Sequence, residues 1–196
     1  MTKSTPVKHS HLKKVLKYKI CVSGAAETGH CAKDAAEKAE HIGRLVAEHG
    51  MVLVTGATTG IPYWAAKGAK EAGGTVIGFS PAASKAAHLR TYHLPIDYHD
   101  VLVYTGFDYS GRNLLLTRSS DAIITICGRM GTLNEYTIGY EDRKPIGVLT
   151  STCGTADMIS DIIDKTYRGS GKTIFDDDPV KLLDRIIQMV EAEHKE

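Results

Sequence analysis

The chain carries almost no net charge, and this balance excludes several classes of partner. Its 24 lysines and arginines are offset by 23 aspartates and glutamates, for a net charge of +1. Proteins that bind nucleic acid or anionic membranes usually carry a marked positive excess. No apolar run approaches the length of a membrane span, and Lys3 to Lys19 is too basic and polar for a signal peptide. We therefore expect a cytoplasmic protein that binds neither nucleic acid nor membrane.

Cysteine pairs at redox or metal-binding spacing are also absent. The four cysteines, Cys21, Cys31, Cys127 and Cys153, include no C-x-x-C pair, so we expect free thiols in a reducing compartment. The three histidines of segment 80–99 have no metal-ligand spacing. The G-x-S-x-G context of a serine nucleophile is missing too. We predict neither a bound metal nor a cofactor.

The chain does contain a regular alternation of short apolar runs and amphipathic stretches. The first three runs, 19–23, 51–55 and 75–79, are separated by stretches with helical periodicity. This alternation predicts βαβ units and an α/β fold: a Rossmann-like, doubly wound, mainly parallel sheet of about six to seven strands flanked by helices. We expect a flexible basic tail over residues 1–17 and a single domain over 18–196. The remaining predicted strands are 101–104, 122–126, 145–149 and 172–175.

Glycine-containing turns follow three of the predicted strands. In a parallel sheet such turns lie together at the carboxyl edge, where ligands bind. Glycine there lets main-chain N–H groups approach an oxyanion that a Cβ would block. No turn has the G-x-G-x-x-G pattern or the Walker lysine, which disfavours a standard dinucleotide fold and an NTPase. The turns predict a phosphate or nucleotide site, and its turn residues are Ser23, Gly24, Gly56, Thr58, Thr59, Gly60, Gly128, Arg129, Met130, Gly131 and Thr132.

The third of these turns precedes a predicted helix over 132–141, and two interpretations of its start are open. Thr132 and Glu135 match a T-x-x-E capping box, which would serve only the helix itself. Alternatively, the helix start binds an anion through its N–H groups and dipole. Glu135 would then lean back toward the turn, where it could accept hydrogen bonds from sugar hydroxyls or activate water. Arg112 could clamp the anion, although taken by itself it fits a solvated surface arginine better.

Several of these residues together resemble the lonely-guy (LOG) family, long labelled lysine decarboxylase-like. The matching segments are Arg112-Asn113, Ser120 to Ile124, and Gly128-Arg-Met-Gly131-Thr132-Leu-Asn-Glu135. The resemblance covers roughly Ile20 to Leu149. It implies a Rossmann-like homodimer or homotetramer that cleaves the N-glycosidic bond of nucleoside 5′-monophosphates. It also implies catalytic roles for Arg112 and Glu135, with the phosphate held by the glycine turn.

Three residues depart from the family pattern P-G-G-x-G-T-x-x-E and its preceding arginine–lysine pair. Cys127 replaces the proline, Arg129 the second glycine and Asn113 the lysine. The Arg-Asn pair is more similar to a sister group that includes molybdenum-cofactor carrier proteins, which bind a phosphorylated pterin without needing to hydrolyse it. Asn113, which we also assign to the ligand site, and Arg129 favour such a carrier.

Three functions therefore stay open. The leading hypothesis is a phosphoribohydrolase acting on a purine nucleoside monophosphate, because Glu135 and Arg112 are both present. The second is a binding protein that carries molybdenum cofactor or another phosphorylated heterocycle. The third is a nucleotide-sensing module without turnover. All three have a small phosphorylated molecule as the partner.

Overall fold

The computed structural model describes residues 16–193, and it contains a single sheet of seven parallel strands. The predicted tail over residues 1–17 lies almost wholly outside the described residues. The strands are β1 (Lys19–Gly24), β2 (Val52–Thr55), β3 (Thr75–Ser80), β4 (Val101–Tyr104), β5 (Ala122–Ile126), β6 (Ile146–Leu149) and β7 (Thr173–Asp176). The helices are α1 (Ala35–Glu48), α2 (Ile61–Glu71), α3 (Lys85–Arg90), α4 (Asp108–Ser119), α5 (Met130–Glu141), α6 (Gly154–Thr166) and α7 (Pro179–Glu193).

The order of the strands reverses next to β1. The sheet runs β4-β3-β2-β1-β5-β6-β7, so the chain builds outward from β1 to β4 and then returns to β5. Ser23 lies beside Thr125, and Gly24 lies beside Ile126, so β1 and β5 end side by side. The turns after these two strands leave in opposite directions, which opens a crevice at the carboxyl edge. The predicted α/β, Rossmann-like class is confirmed.

Helices cover both faces of the sheet. Ile124 of β5 belongs to a core cluster with Ile42 of α1 and Leu182 of α7, whereas its neighbour Ile123 belongs to a second cluster with Ile159 of α6. Successive side chains of a strand point to opposite faces. Because both faces of β5 are buried, its sequence is a continuous apolar run rather than an alternating one. Within residues 16–193, no helix combines the length and apolarity that crossing a bilayer requires.

Residues 112–119 predict a helical turn or two with Leu115 and Leu116 pointing inward, and helix α4 differs from this prediction. It begins at Asp108 rather than at Arg112, and Leu115 is 37% exposed. The buried face consists of Arg112, Asn113, Leu116 and Thr117. Three of these four side chains are polar, so the hydrophobic pattern could not identify the face that packs against the sheet.

Two of the four cysteines predicted to be free form a disulfide. Cys31, in the loop between β1 and α1, is bonded to Cys127 at the end of β5. The two residues are 96 positions apart, but they meet because β1 and β5 are neighbours in the sheet. Spacing rules consider cysteines that are close in sequence, and so they miss a pair that depends on strand order. Cys21 is a buried free thiol, and Cys153 is an exposed one.

Candidate functional site

A cavity of about 170 Å³ lies at the carboxyl edge, where the turns after β1, β2 and β5 converge. Pockets that enclose a whole drug-sized ligand usually measure about 300–1,000 Å³. The cavity is therefore large enough for a phosphoryl group and part of a sugar, and the rest of a larger ligand would lie outside it. Its lining residues are Val22, Gly24, Ala25, Ala26, Gly56, Thr58, Pro62, Tyr109, Arg112, Asn113, Arg129, Gly131, Thr132 and Glu135.

Most residues predicted for the site line this cavity, including both predicted catalytic residues, Arg112 and Glu135. Sequence reasoning missed Tyr109, which lies one helical turn before Arg112 and could have been found from that spacing. It also missed small and apolar residues, which carry no chemical signal. The predicted residues that do not line the cavity are Ser23, Thr59, Gly60, Gly128 and Met130.

The start of α5 is not closed by a capping box. The helix begins at Met130, and the preceding Arg129 has an extended backbone and makes no side-chain cap hydrogen bond. Thr132 is thus already inside the helix, and Glu135 bonds elsewhere, so the capping-box interpretation is wrong. The first-turn N–H groups of a helix have no partner within the helix. Since Gly131 and Thr132 line the cavity, this positively polarised end is turned toward it.

The glycines around the cavity have different physical roles. A Cβ at Gly56 would overlap the guanidinium of Arg112, so this glycine makes room for the arginine. Gly128 has φ +102, and a Cβ there would lie 2.5 Å from the side chain of Thr132. Gly131 differs from Gly56 and Gly128, because a Cβ at this position would meet no atom within 4 Å. Close approach of a ligand to the main chain can therefore explain Gly131, whereas packing within the protein explains the other two.

Arg112 is a buried cation rather than a surface arginine. Its side chain is 5% exposed, and its guanidinium lies 5.7 Å from the ring centre of Tyr109. Nη1 donates hydrogen bonds to the carbonyl oxygens of Gly56 and Phe79. Nε is buried and has no hydrogen-bond partner among the described residues. Burial of an incompletely paired charge is costly, so an anion in the cavity would stabilise this side chain.

Glu135 is held in place by Ser23. The Ser23 hydroxyl donates a hydrogen bond to Oε2 of the carboxylate. Burial raises the pKa of Glu135, and the charge of Arg112 and the hydrogen bond from Ser23 partly oppose that rise. A raised pKa keeps more of the carboxyl group neutral, which reduces its repulsion of a nearby phosphate. Ser23 thus orients Glu135 rather than lining the cavity itself.

Asn113 and Arg129, two of the three residues that depart from the family pattern, have partners of their own. Asn113 Nδ2 donates to Oδ1 of Asn134 at 3.0 Å, which joins α4 to α5, while its own Oδ1 is buried and unpaired among the described residues. Arg129 forms an ion pair with Glu27 at 3.0 Å, and both side chains are largely exposed. The Arg129 guanidinium is therefore paired with Glu27, although Arg129 also lines the cavity.

The parallel sheet, its reversal next to β1, and the uncapped helix start in the crevice define a doubly wound, Rossmann-like protein with a candidate ligand site at the switch point. Within that class, the chain belongs to the SLOG cluster4 family, whose model matches residues 17–183. The resemblance proposed from the sequence is thereby confirmed.

Relatives and solved structures agree with this assignment. An uncharacterized protein of Archaeoglobus fulgidus is 32% identical over 131 residues, which are 67% of this chain and 81% of that protein. The molybdenum cofactor carrier protein of Chlamydomonas reinhardtii is 27% identical with a TM-score of 0.71, and the match covers 90% of this chain and 99% of that one. The molybdenum cofactor binding protein of Rippkaea orientalis is 26% identical with a TM-score of 0.70, at 90% and 97% coverage.

Proposed function

We propose that this protein binds a phosphorylated heterocyclic ligand in the β1–β5 crevice and acts as a carrier of a phosphorylated pterin of the molybdenum-cofactor type. The observation that supports the proposal best is the uncapped start of α5, which is turned into a cavity beside a buried arginine with an unpaired N–H. Helix N-termini bind phosphate through main-chain N–H groups and the helix dipole. The guanidinium of Arg112 would add a charge-assisted hydrogen bond.

The carrier role is favoured by the groups that would surround the phosphate. Asn113, where the resembling enzymes have a lysine, contributes no charge and is bonded to Asn134. The cavity is smaller than a pterin nucleotide, so the heterocycle would lie across its mouth, near the exposed Arg129. The two structural neighbours described above are named for binding or carrying molybdenum cofactor, which supports a ligand of this chemical class.

The second candidate is the phosphoribohydrolase. It is favoured by Glu135, which lines the cavity together with Arg112 and is oriented by Ser23. With a phosphate at α5, the carboxylate could contact ribose hydroxyls or direct water as oxocarbenium-like charge develops, as carboxylates do in other glycoside cleavages. In this scheme Arg112 and Glu135 are the catalytic residues, and a purine nucleoside monophosphate is the substrate.

One pair of measurements separates the two candidates. We would titrate the protein anaerobically with molybdenum cofactor and separately with AMP and GMP, following complexes by native mass spectrometry. In parallel, release of free base from each nucleotide would be followed by chromatography. Tight binding of the pterin without base release supports the carrier. Base release that disappears in Glu135→Ala supports the hydrolase instead.

The matched control tests the site itself. Arg112→Ala removes the buried guanidinium, whereas Arg118→Ala removes an exposed one from the same helix. We expect only Arg112→Ala to weaken binding. Equal binding by both variants, or no binding of any phosphorylated ligand, would overturn the proposed site.

We also propose a homodimer or homotetramer. Strand β4 is an edge of the sheet, with Val101 50% and Val103 38% exposed, and Phe107 and Leu114 nearby in the chain are exposed as well. Apolar side chains grouped in this way are typical of surfaces that pack against another protein. Light scattering coupled to size exclusion would give the oligomeric state.

A further inference from the structure

Three metal-ligand side chains meet beside the crevice. His30 and Cys31 lie in the loop between β1 and α1, and Cys127 directly follows β5. Their ligand atoms all lie within 4.8 Å of one another. Cys127 is buried, Cys31 is half-buried and His30 is exposed, so the group can be reached from solvent on one side. Two cysteines and a histidine form a donor set that suits zinc and other metals that prefer thiolates.

The spacing of two of these ligands already fits a tetrahedral metal. His30 Nε2 lies 3.6 Å from Cys127 Sγ. Zn–N bonds of about 2.0–2.1 Å and Zn–S bonds of about 2.3 Å place N and S roughly 3.6 Å apart in a tetrahedral site. Cys127 is also well anchored, because its N–H donates to Thr152 Oγ1 at 2.9 Å and its carbonyl accepts from Ala156 N–H at 2.8 Å.

The disulfide keeps both sulfurs from binding a metal. The two sulfurs are bonded to each other, whereas two thiolates on one zinc would lie roughly 3.8 Å apart, given Zn–S bonds of about 2.3 Å. Cys31 lies in a loop, so it can move by the required distance more easily than Cys127 at the strand end. Reduction by an external dithiol would supply two electrons and two protons, giving two thiols here and a disulfide on the reductant.

We propose that reduced Cys31 and Cys127 bind one zinc-class metal ion together with His30, and that this metal site and the Cys31–Cys127 disulfide are mutually exclusive. Binding of Zn²⁺ to the two thiols releases two protons, since thiolates are the ligands. The fourth coordination position is left for water or an exogenous ligand.

Metal binding would also change the hydrogen bond that His30 makes to the turn after β5. In the structure His30 Nε2 lies 3.2 Å from the carbonyl oxygen of Gly128, so an N–H there donates to it. A metal at Nε2 requires the ring proton to be on Nδ1, so this hydrogen bond is lost. The loop carrying His30 would then be joined to β5 through the metal rather than through the sulfur–sulfur bond.

The test is a zinc titration of reduced and oxidised protein in competition with a chromophoric chelator. The reduced protein is prepared with a dithiol and desalted anaerobically. We expect one Zn²⁺ per reduced chain and none at the oxidised cluster. Cys31→Ser should weaken binding by more than about 100-fold, because loss of a direct ligand exceeds the 10–100-fold effects of outer-shell changes. Co²⁺ in place of Zn²⁺ should give a thiolate-to-cobalt absorption band that weakens in Cys31→Ser.

Matched variants keep the result interpretable. Cys153→Ser removes an exposed thiol outside the cluster and should bind Zn²⁺ like the parent. His30→Ala changes an exposed side chain, so it tests the ligand set without disturbing the core, and it should weaken binding at least tenfold. Equal zinc affinity of the reduced parent and Cys31→Ser, or of the reduced and oxidised parent, would overturn the proposal. None of these outcomes depends on the ligand of the crevice.

Discussion

The turn after β5 and the segment after β3 both begin at the carboxyl edge of the sheet. They differ in whether their polar groups have hydrogen-bond partners within the protein. At the β5 turn, the start of α5 has no side-chain cap, and Arg112 beside it has a buried N–H without a partner among the described residues. In segment 80–99, the buried polar side chains bond to one another and to nearby carbonyls. Polar groups without partners are expected at a ligand site, as proposed for the β5 turn, whereas the paired groups of segment 80–99 stabilise the fold.

The segment after β3 contains a hydrogen-bond arrangement that also occurs after β2. Ser80 ends β3, accepts from Ala82 N–H, and its hydroxyl lies 2.8 Å from His88 Nδ1; Nε2 of His88 donates to Pro95 O at 2.9 Å. Thr55 ends β2 and accepts from Ala57 N–H, and its hydroxyl lies 2.8 Å from His99 Nε2, while Nδ1 of His99 donates to Asp97 O at 2.7 Å. Burial lowers the pKa of His99, which keeps the ring neutral in this arrangement.

These bonds show that two of the three histidines in the segment, His88 and His99, stabilise the fold rather than bind a ligand. Each imidazole, at His88 and at His99, uses both of its nitrogens within the fold. The irregular sequence of segment 80–99 predicts a lid or side wall over the carboxyl edge. No residue of the segment lines the cavity. The segment instead carries the chain, through α3, to the edge strand β4.

The largest expected effect is on stability, and it comes from a substitution in segment 80–99. His88→Ala removes a fully buried ring and takes away the partner of the Pro95 carbonyl and one partner of the Ser80 hydroxyl, so we expect a loss of about 3 kcal/mol in the free energy of unfolding. Denaturant melts would measure it. His93→Ala, at an exposed position of the same segment, should stay within about 0.5 kcal/mol of the parent. If His88→Ala were as stable as His93→Ala, the contrast between the two regions would be wrong.

The next effect should appear in ligand binding. Arg112→Ala removes a charge-assisted hydrogen bond to the proposed phosphate, so we expect the dissociation constant to rise about 30-fold, equivalent to about 2 kcal/mol. Isothermal titration with the ligand identified by native mass spectrometry would measure it. His88→Ala, studied below its melting temperature, should leave the dissociation constant unchanged, because its ring does not line the cavity.

A smaller effect should depend on pH. Because burial raises the pKa of Glu135, the folded protein holds this proton to a higher pH than the unfolded chain does. The stabilisation is complete below the ordinary glutamate pKa of about 4.3 and is lost as the pH rises through the raised value. Glu135→Gln cannot ionise, so its unfolding free energy should rise relative to that of the parent between pH 4 and pH 7. Melts across this range would show it, and a difference that does not vary with pH would contradict it.

The sequence was sufficient for the strands and for most of the lining residues, for a physical reason. A strand buried on both faces must be a continuous apolar run, and parallel strands bring their following turns to one edge. Helix α3 was not predicted, because its buried residue is a histidine and it has no apolar periodicity. The Ser23–Glu135 bond and the Cys31–Cys127 disulfide were missed because both depend on β1 lying beside β5, which no local pattern encodes.

The smallest expected effects come from Gly131→Ala, which should change stability and ligand binding in opposite directions. Gly131 is exposed, lies in the first turn of α5 and lines the cavity, and a Cβ there would meet no protein atom within 4 Å. Alanine is favoured over glycine in a helix, so Gly131→Ala should raise the unfolding free energy by about 0.5–1 kcal/mol. The same methyl group would stand where the phosphate approaches the main chain, so ligand binding should weaken several-fold.

The control for this substitution is another change on α5. Thr137→Ala also replaces an exposed residue with a better helix former, but it lies further along the helix and does not line the cavity. It should stabilise the protein without altering the dissociation constant. If Gly131→Ala behaved in the same way, the ligand would not be in contact with the start of α5. The open polar groups at that turn would then need an explanation other than phosphate binding.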